Sequence, residues 1–267
     1  MEIVGELINA SRKSIRTLIK HQDAEGIIQV ARDQVEGGAN YIDVNAGVFI
    51  KEEPQYLRWL VETVQSELDI PCCIDSPNPA AIEEALKAHK GIPMINSISL
   101  EKDRYDKIMP FLKDVECKVI ALCMDDEGMP ETKDQRMSIA RRLIDDLEKS
   151  GVKHDNIYVD PLVQPIGTDD LYGLEFLNTI QALKEEFPAV HHMCGLSNIS
   201  YELPHRKFVN RTFMVMAIAK GLDGAILNPK DKHMMASITT AETLFGKDKW
   251  CEKYLDAYRD GLLEHCL

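Results

Sequence analysis

Acidic, carboxamide and hydroxyl side chains recur along this chain, each following a short apolar run. In order they are Glu6 and Asn9, Asp43 and Asn45, Asp75, Asn96, Asp125, Asp160 and Gln164, Ser197 and Asn198, then Asn228. Few of these groups are strong nucleophiles, so the chemistry they suit is recognition by hydrogen bonding. A carboxylate accepts from two adjacent N–H donors in parallel, and a carboxamide offers donor and acceptor together. The pattern suits a flat heterocycle that carries a cyclic amide beside an exocyclic amine; a sugar or a nucleobase is held by the same groups. Any single Asp or Asn also has a blander role, starting a loop or capping a helix. Asp75 is relieved of that role by Ser76-Pro77-Asn78-Pro79, which can open a helix without it.

Other chemistries are disfavoured by what these positions lack. No Lys closes strands one to seven, and Lys118 stands near the opposite end of strand five, which argues against Schiff-base aldolases and pyridoxal enzymes. No His-x-His follows the first strand, which argues against a binuclear metal hydrolase. His191 and His192 read as buried or rim residues rather than metal ligands, and no metal site is expected. His205 and His233 fall on late loops within reach of a substrate.

The elements that position these residues alternate in type. β-rich runs span 3–8, 41–44, 71–74, 93–98, 117–123, 156–159, 190–193 and 225–227. Helical periodicity occupies 23–36, 53–67, 80–88, 104–113, 133–150, 171–186, 207–220 and 234–245, with a terminal helix from about 250. Eight βα units in 267 residues predict one (βα)8 TIM barrel over 1–267, with its polar ring at the carboxyl ends of the strands. A doubly wound open sheet is the competitor, but the first βα turn has no Gly-x-Gly-x-x-Gly.

Composition narrows the class further. Charged residues make up 28% and the net charge is −13, unlike the basic footprint of a nucleic-acid binder. No apolar run approaches the roughly 20 residues of a membrane span, and Met1–Glu6 reads as a strand rather than a signal peptide. Seven cysteines, an odd number without a Cys-x-x-Cys pair, suggest free thiols in a reducing cytoplasm.

A pterin is one heterocycle of the required kind, with adjacent donors at N3 and the 2-amino group; Asp75, Asn96 and Asp160 make chemical sense as its readers. The motifs agree. Gly5-Glu6-Leu7-Ile8-Asn9-Ala10-Ser11-Arg12-Lys13, Asp43-Val44-Asn45-Ala46-Gly47, Ile74-Asp75-Ser76, Ile95-Asn96-Ser97-Ile98, Asp160-Pro161 and Gly195-Leu196-Ser197-Asn198-Ile199-Ser200 together resemble the pterin-binding methyltransferase family. The resemblance covers nearly the whole chain; each fragment alone is short, but six occur in order at strand ends.

It implies a dihydropteroate-synthase-like barrel, a homodimer, with tetrahydrofolate as substrate and a corrinoid (cobalamin) carried by a partner protein. By that similarity Asp75, Asn96 and Asp160 hydrogen-bond the pterin, Gly195 and Ser197 shape the site floor, and Asn198 acts catalytically near N5. Arg206 and Lys207 meet the folate tail or the partner, or simply start a helix. Cobalt(I) is itself a strong nucleophile, consistent with a ring that supplies none. No Asp-x-His-x-x-Gly run occurs, so the corrinoid is expected on a separate protein. The direction of methyl transfer is not encoded. A non-catalytic folate-binding subunit, a lyase with phosphate at Gly195-Leu196-Ser197, and dihydropteroate synthase are the alternatives. The last lacks its late Lys/Arg-x-His, the segment here reading Asn228-Pro229-Lys230-Asp231-Lys232-His233.

Overall fold

The computed structural model describes residues 1–113 and 115–264; Cys266 lies outside them. The chain runs β1 (Glu2–Asn9), α1 (Lys13–His21), α2 (Ala24–Glu36), β2 (Tyr41–Asn45), α3 (Glu53–Glu67), β3 (Cys72–Asp75), α4 (Pro79–Ala88), β4 (Met94–Leu100) and α5 (Lys102–Leu112). It continues with β5 (Lys118–Asp125), α6 (Lys133–Lys149), β6 (Ile157–Asp160), α7 (Tyr172–Glu186), β7 (His191–His192), α8 (Arg206–Lys220), β8 (Gly224–Leu227), α9 (Lys232–Leu244) and α10 (Glu252–Arg259). All eight strands pair in parallel, in the order β7-β6-β5-β4-β3-β2-β1-β8. A Gly195–Ile226 bridge, with Asp223 N–H donating to the His192 carbonyl at 3.1 Å, joins the two ends and closes the expected barrel.

Alternation along each strand divides the core. Val4, Tyr41, Cys73, Met94, Ile120, Tyr158 and Met193 fill the barrel interior. Residues of opposite parity, such as Ile42, Val44, Ile74 and Ile95, pack outward against Leu57, Leu60, Ile82 and other helix residues. Each fully buried large side chain contributes roughly 1.5–3 kcal/mol. At the amino-terminal floor, Lys118 Nζ and the Tyr158 hydroxyl donate to one Glu2 oxygen at 2.8 and 3.0 Å. The Lys118 ammonium also lies 5.0 Å from the Tyr41 ring centre. Glu2, Lys118 and Tyr158 at the floor thus satisfy one another.

Three elements depart from the sequence reading. α1 was not anticipated; only Ile15 and Ile19 of its nine residues are buried, too few to stand out among Lys13, Arg16 and Lys20. β7, expected over 190–193, has a two-residue ladder, although Met193 N–H still reaches the Val159 carbonyl at 2.9 Å. The terminal helix begins after a tight turn at Lys249–Cys251 and ends at Arg259.

Candidate functional site

The strand ends on the β2–β3–β4 side form one network. Asn45 Nδ2 donates to Asp75 Oδ2 at 2.9 Å, and Asn96 Nδ2 donates to Asp43 Oδ1 at 3.4 Å. Asp75 and Asn96 are partners across the β3–β4 ladder. Burial, reinforced by the Asp75 charge, pushes the Asp43 carboxyl well above the ordinary carboxylate range. Asp75 is raised as well, again by burial, while the Asn45 hydrogen bond and the Arg104 charge pull it back. The pair therefore resists carrying two negative charges.

Supporting residues hold this network from behind. Glu53, buried at the start of α3, accepts from Ser76 Oγ at 2.6 Å and Asn78 Nδ2 at 3.2 Å. Asn78 in turn caps α4, accepting from Ala80 N–H at 3.1 Å, so the helix start is served without Asp75 as expected. Arg104 Nε donates to the Ser97 carbonyl at 3.0 Å. On β1, a Cβ at Gly5 would meet Gln34 Oε1 at 2.6 Å, and that oxygen instead accepts from Leu7 N–H at 2.9 Å, which fixes the backbone around Glu6.

A second group assembles on the β6–β7 side. Asp160 is buried, and its Oδ1 accepts from Leu162 N–H at 2.8 Å; the Gly195 N–H also bonds it. Burial raises its carboxyl to about 6, against the two backbone donors and the Arg136 charge. Ser197 and Asn198 lie on a 3₁₀ turn, Leu196–Ser200. Arg206 braces that turn, Nε donating to Ser200 Oγ at 3.0 Å and Nη2 to the Ser197 carbonyl. The Asn198 carboxamide is exposed, with no hydrogen-bond partner among the described residues. No hydrogen bond joins the two groups among the described residues, but Glu6 lies between them: burial raises its carboxyl against the Arg12 and Arg206 charges, and its own charge adds slightly to the rise of Asp43.

The ring is not uniform. Asn9, Asp125 and Asn228 accept from N–H groups two residues on, at 2.9, 3.0 and 3.0 Å, the local turn role that Asp and Asn so often play, and make no other side-chain hydrogen bond among the described residues. Asn45 and Asp160 accept likewise from Gly47 and Leu162, at 3.0 and 2.8 Å, but also bond Asp75 and the Gly195 N–H. Arg206 spends its guanidinium on the Leu196–Ser200 turn. His205 stands exposed before α8, and His233 lines a cavity of about 600 Å³ between α8, α9 and α10 with Arg211 and Tyr254, apart from the ring.

Glu53, Arg104 and Arg136 were missed as site residues. Glu53 and Arg136 left a usable signal, since each occupies a core position in a helical apolar stripe, before Leu57, Leu60 and Val64 in α3 and before Ile139, Leu143 and Leu147 in α6. Arg104 left none.

Residues 5–228 match the family described as pterin binding enzyme. The chain is 32% identical over 263 residues to a methylcorrinoid:tetrahydrofolate methyltransferase of Eubacterium limosum, covering 98% of this chain and 97% of that protein. It is 29% identical to methionine synthase of Mycobacterium tuberculosis, over 85% of this chain but only 20% of that longer protein. Dihydropteroate synthases share the fold: that of Xanthomonas albilineans in complex with 7,8-dihydropteroate superposes with a TM-score of 0.69 at 17% identity, covering 92% of each chain. The Yersinia pestis enzyme gives 0.69 at 16% identity, covering 92% of this chain and 93% of that one.

Proposed function

This chain belongs to the pterin binding enzyme family, and from that premise we propose that it is a methyltransferase moving a methyl group between N5 of tetrahydrofolate and the cobalt of a corrinoid on a separate protein. The near full-length match to a methylcorrinoid:tetrahydrofolate methyltransferase carries this reading. The site chemistry supports it, because the acid and amide network offers edge recognition and no protein nucleophile, and the corrinoid supplies the nucleophilic chemistry when bound. Asp75, Asn96 and Asp160 read the pterin edge, with Gly195 and the Ser197 turn beneath it. Asn198, exposed and uncommitted, hydrogen-bonds near N5.

The residues' task is electrostatic. An unprotonated N5 would have to leave as an amide anion, so a proton or strong hydrogen bond must reach it as its bond to methyl breaks. Asn198 contributes a donor whose bond strengthens in the transition state. Asp43, held toward its protonated form beside Asp75, keeps the buried network from accumulating charge.

The corrinoid protein docks over the mouth, where Ile50, Met129 and Tyr201 project apolar surface from three βα loops. The chain pairs with a second copy, which the exposed Leu174, Phe208 and Met216 along an apolar groove on α7 and α8 support. The described cysteines are all free thiols, in keeping with a reducing cytoplasm.

The test is a titration with methyltetrahydrofolate followed by a spectral assay with free cob(I)alamin. Binding with formation of methylcobalamin is expected. Binding without methyl transfer identifies a folate-carrying subunit, and no binding removes the folate reading altogether.

A further inference from the structure

Arg136 lies fully buried in the apolar stripe of α6. Its Nε donates to the Pro161 carbonyl at 2.9 Å, and its Nη1 donates to the Glu131 carbonyl at 2.7 Å. Pro161 directly follows Asp160, and Glu131 lies in the loop between β5 and α6. From the other side, Gln164 Nε2 donates to the Pro130 carbonyl at 2.5 Å. The β5–α6 loop is thus tied to the β6–α7 loop beside Asp160 directly, by Gln164 and Pro130, and through Arg136, which bonds a carbonyl of each.

A guanidinium in this place is a poor device for stability alone. No carboxylate hydrogen-bonds it among the described residues, and its Nη2 is buried without a partner. Desolvating such a charge costs more than burying an apolar side chain of similar size. The turn it grips is itself strained, since Leu162 holds φ at 66°, in the left-handed region that a bulky side chain disfavours. That same turn presents the Leu162 N–H to Asp160 Oδ1.

We propose that Arg136 is the positioning residue for Asp160: its grip on the Pro161 carbonyl holds the Asp160–Leu162 turn in the shape that aims the Asp160 carboxylate at a bound pterin. This rests on the folate reading above. Arg136 also faces Asp160 as a charge. The titratable groups around the two are Cys123 from β5, Cys194 just after β7, and Tyr172 and Glu175 from α7. Burial pushes both thiols up, so they stay neutral while Asp160 titrates. Arg136 therefore favours the ionised carboxylate as well as placing it.

The experiment measures tetrahydrofolate affinity of the full chain, from mildly acidic to neutral pH, for wild type, Arg136→Lys and Arg136→Met, with the melting temperature of each. Arg136→Lys keeps the charge but not the two-pronged grip. Its affinity falls roughly tenfold, the size of one lost hydrogen bond, while the acid midpoint of binding stays in place. Arg136→Met loses both features: affinity falls at least as far, and the midpoint moves upward by about half a pH unit. Variants that bind with wild-type affinity and midpoint overturn the proposal, even if they melt lower, because the arginine is then only structural. If Arg136→Met does not fold, Arg136→Lys decides by its affinity; if neither folds, the proposal falls. A wild-type protein that takes up no tetrahydrofolate sinks the folate reading instead, a result distinct from either.

Discussion

The two ends of the barrel treat buried polar groups in opposite ways. At the floor, Glu2 is met by Lys118 and Tyr158, and His191 lies between Asp223 and Asp155 at 3.1 and 3.2 Å. At the mouth, Asp43 and Asp75 share one network with no cation bonded to either among the described residues, and Asp160 relies on backbone donors. Burial raises all three carboxyls. The charged groups of the floor offset one another, whereas the carboxyls of the mouth keep electrostatic tension. The neutral His192 beside the floor, its ring buried without a partner among the described residues, is an exception to that pattern. The pairing of charged groups distinguishes the two ends more clearly than residue type does.

Four measurements break or sharpen this contrast, the largest effect first. His192, next to the floor, is fully buried with both ring nitrogens unpartnered, and burial holds it down to about 4. The unfolded chain binds that proton near 6.5 and the folded chain only near 4, so the stability is complete above the first value and lost as pH falls toward the second. The loss is at most roughly 3 kcal/mol. Urea unfolding at a series of pH values should show it, and His192→Leu should flatten that part of the profile. Equal acid sensitivity in both proteins would mean that the histidine is not held neutral.

Next, Asp75→Ala should weaken tetrahydrofolate binding by about 100-fold, from loss of charged hydrogen bonds. Its melting temperature should be unchanged or higher, because a like charge beside Asp43 has gone. A large drop in stability with intact binding would make the mouth structural, like the floor. Third, Asn198→Ala should lower the maximal rate more than ~10-fold with a smaller change in KM, as for a contact made mainly in the transition state. An unchanged rate removes Asn198 from the chemistry. Last, Lys118→Met should cost about 1–2 kcal/mol of stability by leaving Glu2 less well paired, with kcat/KM per folded molecule unchanged. Lost activity in a stable Lys118→Met protein would show that the floor and the mouth are coupled.

Much of this was legible in the sequence because period-two strands and helical stripes are local patterns. Asp75, Asn96 and Asp160 could be placed at strand ends by reading apolar runs to their last residue. Asn9, Asp125 and Asn228 looked the same by that rule, yet their side-chain hydrogen bonds, among the described residues, stay on their own loops, whereas Asp160 makes such a turn to Leu162 and also bonds Gly195. Nothing local separates the two sets, since Asp and Asn serve either purpose. α1 was passed over for a related reason, because two buried isoleucines leave little periodicity.

By itself the sequence determined the eightfold alternation and the end of the barrel that carries the polar ring, which follow from side-chain spacing along the chain, and the motifs by which it resembles the pterin-binding family. Only the tertiary structure decided which ring members remain uncommitted, that Glu53 and Arg136 turn inward to brace the strand ends, and that the Asp43 and Asp75 carboxyls compete for one negative charge. Those outcomes depend on partners such as Pro161 for Arg136, or Asn96 for Asp43, that lie 25 and 53 residues away in the chain, so no local pattern encodes them.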